Sequence, residues 1–279
     1  LRLSRARRQA RRRILVVAVL VVVLGAIGVV VAVVSFRPPA PFESLCTVPA
    51  GTTTTSGTKD VYVITPDQAQ NASIIAAVSI QKGLPDHAVT VALATAFQES
   101  RLQNLTYGDL DSVGLFQQRP SEGWGTPAQI ENPVYAATAF YDHLVQVPGW
   151  ETLPVTQAAQ MVQRSASPDA YAQWESEARS LAMALTGEVP QGISCHLDGF
   201  GGQAPAPSAL NTAAATELGA PAFGTRVSTT RGWQVAAWAV AHAYNYHVTS
   251  VTFAGRQWTP SAGSWSDAPN SSSVVVVTP

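Results

Sequence analysis

The rhythm of apolar and polar positions changes several times along this chain, and the changes divide it. Residues 14–36 form a run of 23 residues without a charge. Wound as a helix, that run would be roughly 34 Å long, enough to cross a hydrocarbon core of about 30 Å. From Thr65 to Gly187 the apolar spacing is helical; Tyr171, Trp174, Ala178, Leu181 and Leu185, for example, lie three or four apart. The helix starts are marked chemically. Thr65-Pro66-Asp67-Gln68 and Thr126-Pro127-Ala128-Gln129 read as capping boxes with proline at the first helical position. Asn132-Pro133 and Ser167-Pro168 set a capping side chain before a proline, and Gly83 and Gly187 supply stops. About six helices with short connections are predicted over 65–187.

Further on, the period changes again. Residues 232–246 read as a helix with Trp233, Ala236, Ala237, Val240 and Tyr244 on one face. Residues 247–253 alternate, Ala254-Gly255 is a turn before Arg256-Gln257-Trp258, and 274–277 is a closing strand. The predicted order is a basic tail (1–13), a transmembrane helix (14–36), a Pro/Thr/Gly spacer (37–64) and a helical domain (65–195). A Gly/Pro/Ala linker (196–222) and a small α+β module (223–279) follow. The expected fold class is mainly α.

Charge sharpens this picture. The net charge of −1 hides seven arginines within the first 13 residues, and the remaining chain carries 10 basic and 18 acidic residues, a net of −8. Such an acidic body excludes a nucleic-acid-binding domain, because phosphate binding needs a basic surface. With 46% hydrophobic and 13% charged residues, the chain is not a charge-driven disordered one. Arginines ahead of the apolar run would hold the N-terminus in the cytoplasm and leave the rest outside, as a single-pass membrane protein. A cleaved secretory signal is the alternative, though no small-x-small cleavage pattern follows the run. Cys46 and Cys195, the two cysteines, bracket the central region and are expected to form a disulfide. Free thiols are the alternative. The five histidines show no metal-ligand spacing, and no cofactor or metal is expected.

Candidate chemistry concentrates in residues 88–120. Val89, Leu93 and Phe97 mark the core face of an apolar helix that ends Gln98-Glu99-Ser100. Glu99 falls over Ala92, Thr95 and Ala96, small side chains that leave room for a ligand. Apolar neighbours and the negative end of the helix dipole would both keep its carboxyl protonated to higher pH, as a general acid requires. A solvated residue at the helix end, paired with Arg101, is the plainer alternative.

Three segments carry a resemblance: Gln98-Glu99-Ser100-Arg101-Leu102, Tyr107-Gly108-Asp109, and Val113-Gly114-Leu115-Phe116-Gln117-Gln118-Arg119-Pro120. Together they resemble the lytic transglycosylase and goose-type lysozyme superfamily, and the Asn132-Pro133-Val134-Tyr135-Ala136 helix is similar to that family's next element. The likeness covers about residues 66–187. It departs at Phe116, where the family has Met, and at Ser165–Tyr171, which stands in place of a Tyr-Asn-Ala-Gly element. The resemblance implies a lysozyme-like domain in which Glu99 protonates a glycosidic oxygen. Asp109 would hold water for inversion, with a simple Asp turn as the alternative. It further implies that Gly114 admits a sugar ring, that Gln117 contacts an N-acetyl group and that Gln118 binds substrate beside it; Trp124 and Tyr171 are candidates to stack on sugar faces.

The expected activity is cleavage of the β-1,4 bond between N-acetylmuramic acid and N-acetylglucosamine in peptidoglycan, by transglycosylation or by hydrolysis. The expected partners are peptidoglycan glycan strands, the membrane through one helix, and an envelope protein bound by the C-terminal module. A non-catalytic glycan-binding or envelope scaffold protein is the alternative. The aromatic cluster of the C-terminal module reads as a small core rather than a glycan surface.

Overall fold

The computed structural model describes residues 43–53, 59–165, 167, 169–206, 208–219 and 222–279. Its centre is a pair of helices, α1 (Pro66–Gln81) and α2 (Asp86–Ser100). Thr65 caps α1 as the sequence predicts: its side chain accepts from the Gln68 backbone while Gln68 Oε1 accepts from the Thr65 N–H. Ala88 to Phe97 are all buried, so α2 is apolar on every side and occupies the middle of the fold. Around the pair stand α3 (Pro127–Ile130), α4 (Pro133–Leu144), α5 (Val155–Gln163) and α6 (Glu175–Leu185). Thr126 makes the second capping box, and Asn132 accepts from Val134 and Tyr135. The predicted start at Ser167-Pro168 includes Pro168, which lies outside the described residues. The helix itself begins later, at Glu175, after a 3-10 turn over Ala172–Trp174. There the Trp174 ring is held flat on Phe97, 5.3 Å between centroids. Finally α7 (Ala209–Leu218) and α8 (Thr229–Tyr246) close the helical layer, with Ser228 capping α8.

Two small antiparallel sheets complete the molecule. The first, ordered β2-β1-β3, joins β1 (Leu45–Thr53), β2 (Lys59–Ile64) and β3 (Ser194–His196). Much of the predicted spacer is therefore strand. What organises it is tertiary: Cys46 lies directly opposite Cys195 in the register, and the two form a disulfide. Closing so long a loop is worth about 5 kcal/mol in the chain-entropy picture. The second sheet, ordered β6-β5-β4-β7, contains β4 (Ser250–Phe253), β5 (Arg256–Trp258), β6 (Trp265–Asp267) and β7 (Val276–Thr278). Ala254 and Gly255, both at positive φ, make the tight turn between β4 and β5.

Residues 44–279 form one compact unit, and the C-terminal elements share its core. Trp233, Trp238 and Trp258 are buried. Trp258 and Trp265 donate their indole N–H to the carbonyls of Cys195 and Ile193, tying the second sheet to the disulfide strand. Helices hold 45% and strands 14% of the described residues, in two sheets. The mainly α expectation is thus corrected to a mixed α and β architecture. The single-pass membrane expectation is corrected as well. Among the described residues no helix is long and apolar enough to cross a membrane. The apolar run at 14–36 that suggested one lies outside the described residues, and so does the basic tail before it.

Candidate active site

Glu99 occupies the last turn of α2, and the neighbouring Ser100 locks that turn in place. Ser100 Oγ donates to the Leu115 carbonyl at 2.7 Å and also approaches the Ala96 carbonyl. This pins the helix end to a tight loop in which Val113 and Gln118 exchange backbone hydrogen bonds. Gly114 makes the loop possible. Its φ is +79°, and a Cβ there would stand 2.7 Å from the Ile130 carbonyl oxygen. Gly114 is buried against Ile130 and does not line the groove, so its requirement is close packing.

The Glu99 carboxyl is partly buried, and its ionised form is disfavoured by desolvation. Hydrogen bonds from Tyr171 and Gln163 oppose that effect without cancelling it, so its pKa is raised. Tyr171 Oη donates to Glu99 Oε1 at 2.8 Å. The tyrosine itself is fully buried, so it positions the carboxyl from within the wall rather than offering a face to a sugar. Burial and the nearby Glu99 charge push its own pKa up, which keeps it a donor. Arg101 does not pair with Glu99. Its guanidinium lies over the Trp174 ring at 4.1 Å, and the Trp174 indole donates to Gln98. The carboxyl therefore has hydrogen-bond donors but, among the described residues, no cation paired with it.

In front of Glu99 lies a groove of about 640 Å³, within the usual range for ligand sites of roughly 300–1,000 Å³. Gln117, Gln118 and Arg119 line it from the loop after α2, and residues 161–165 line it from the end of α5. Gln117 Nε2 donates to the Tyr107 and Gly114 carbonyls and so holds the loop. Gln118 is buried, with Nε2 donating to Ala136; its Oε1 has no hydrogen-bond partner among the described residues. Trp124 and His143 form a ring pair on the groove, 4.0 Å between centroids. Tyr135 Oη fastens the Trp124 carbonyl.

The structure does not bring Asp109 into this wall. Asp109 is exposed on its loop and does not line the groove. Asp111 is committed elsewhere: hydrogen bonds from Arg119 and the Ser121 N–H lower its pKa to about 2. Arg119 also reaches Glu122, which leaves Glu99 as the groove carboxylate without a basic partner among the described residues. Among the same residues no cluster of three or more His, Cys, Asp or Glu side chains is placed to share a metal ion.

Sequence reasoning missed Gln163, Arg164 and His143. The first two follow an ordinary amphipathic helix, and the third looks like one more surface histidine; only the shape of the groove gathers them. No family model matches the chain, and no curated protein matches it.

Proposed function

We propose that this groove cleaves the β-1,4 bond between N-acetylmuramic acid and N-acetylglucosamine in peptidoglycan strands, with Glu99 as the proton donor. The observation that carries the reading is a partly buried carboxyl of raised pKa, held by a tyrosine hydroxyl and facing a groove of ligand size. Glu99 gives its proton to the bridging oxygen as the C1–O bond breaks. The carboxylate left behind is stabilised by the hydrogen bonds from Tyr171 and Gln163. It then takes the proton of the C6 hydroxyl of the same sugar as that oxygen attacks C1, forming a 1,6-anhydro ring. One group serves as acid and then as base.

This route is favoured over inversion by water because a second, suitably placed carboxylate would be needed for the latter. Asp109 does not line the groove, and Glu122 is bound to Arg119. The test uses the full chain, because residues 65–187 share a core with the C-terminal elements. Purified protein should release anhydro-muropeptides from cell walls, and Glu99→Gln should release at least about 100-fold less while remaining folded. Products with reducing ends would replace the transglycosylase by a hydrolase. Equal release by both proteins would end the enzymatic reading, and glycan binding without cleavage, unchanged in Glu99→Gln, would select a binding module.

A further inference from the structure

The groove contains two arginines, and the fold treats them differently. Arg119 is held between Asp111 and Glu122, so its charge is locally answered. Arg164 is exposed at the end of α5, and among the described residues its side chain makes no ion pair or hydrogen bond. Its backbone is fixed: φ is 53° and ψ 36°, and its N–H bonds the Gln160 carbonyl at 2.8 Å. The residue before it, Gln163, donates to the Phe116 carbonyl and hydrogen-bonds Glu99. Arg164 therefore directly follows the residue that hydrogen-bonds the proton donor, and it lines the same groove. A guanidinium left without an acid beside a cleavage site attracts an anion, and its planar donor fork matches a carboxylate.

We propose that Arg164 binds a carboxylate carried by the glycan next to the scissile bond, making the site selective for acidic over neutral amino-sugar strands. The inference rests on the glycosidase reading for its placement but is testable by binding alone. Two sources present this chemistry: the lactyl carboxylate on a sugar stripped of its peptide, and the carboxylates of an attached stem peptide.

The test measures affinity in a Glu99→Gln background, where no bond is cut, with and without Arg164→Gln or Arg164→Lys. The probes are peptide-stripped glycan strands, peptide-bearing strands and a neutral N-acetylglucosamine hexamer. Arg164→Gln should weaken binding of acidic strands about tenfold or more, a size expected for one charge-assisted contact, and hexamer binding should change less than twofold. Arg164→Lys should recover part of the loss, and added salt should narrow the gap between acidic and neutral probes. A loss on stripped strands assigns the lactyl group, and a loss confined to peptide-bearing strands assigns the stem. Equal losses on acidic and neutral probes, no loss on either, or no binding of any probe would each overturn the proposal. Failure of the wild type to cleave, with acid-selective binding intact, would remove only the glycosidase reading.

Discussion

The two ends of α2 carry two carboxylates that the fold handles in opposite ways. Asp86 opens the helix, where the dipole favours its charge, and Glu99 stands in the last turn, where the dipole opposes it. Burial pushes both pKa values up. At Asp86 the Arg179 guanidinium, through its hydrogen bond and its charge, overrules burial and leaves the carboxyl below the usual range. At Glu99 the opposing groups are a neutral hydroxyl and a neutral amide, so burial prevails. Each end also faces a hollow, of about 500 Å³ at Asp86 and 640 Å³ at Glu99. Cavity size does not separate them. The cation does: a carboxyl tied to arginine is a poor proton donor, whereas one kept among neutral donors is poised to give its proton and recover it.

The sharpest way to break this comparison is removal of the Glu99 acid. Glu99→Gln should lower cell-wall cleavage by about 10²- to 10⁴-fold, the usual worth of a positioned general acid, with an unchanged far-ultraviolet dichroism spectrum. Asp86→Asn should leave cleavage within about twofold, and a large loss there would mean that the two ends are not distinct. Tyr171→Phe is intermediate. It removes a donor to the ionised carboxyl, so the alkaline limb of the rate–pH profile should move to higher pH, with a rate loss of about tenfold. An unmoved limb would show that the hydroxyl does not tune Glu99.

On stability the effects are smaller. The Asp86 and Arg179 side chains are each 40% exposed, so Asp86→Asn should cost about 1 kcal/mol or less by denaturant titration. The pH dependence should then run in opposite senses. Asp86 has a depressed pKa, so its contribution is present above the ordinary Asp range and disappears as pH falls through the folded value. The cost of Asp86→Asn should fade in acid. Glu99 has a raised pKa, so the folded protein holds its proton where the unfolded chain has lost it, and stability falls as pH climbs from the ordinary Glu range through the raised value. Glu99→Gln should therefore gain on the wild type as pH rises towards neutrality and lose that gain below the ordinary Glu range. Parallel pH slopes for the two variants would sink the distinction.

Parts of this arrangement are legible in the chain. The capping boxes at Thr65 and Thr126 are formed as read, because a cap is satisfied within four residues of itself. The Ala254-Gly255 turn is equally local. The pairing of Cys46 with Cys195 followed from there being only two cysteines. The spacer was misread because β1 owes its place to a strand near residue 195, and no short window contains both. The apolar run at 14–36 lies outside the described residues; length and hydropathy describe a segment's affinity for hydrocarbon, and they do not establish a membrane span.

The sequence by itself determined the capped helix starts at Thr65, Thr126 and Asn132, the apolar character of α2, and that Glu99 stands over small side chains, since these depend on spacings of a few residues. Tertiary structure decided which groups meet that carboxyl. Tyr171 reaches it across 72 positions, Trp174 draws Arg101 away, and Asp109, only ten positions on, turns outward from the groove. The reason is physical: a pKa is set by the atoms within a few ångströms, and packing of distant segments selects those atoms.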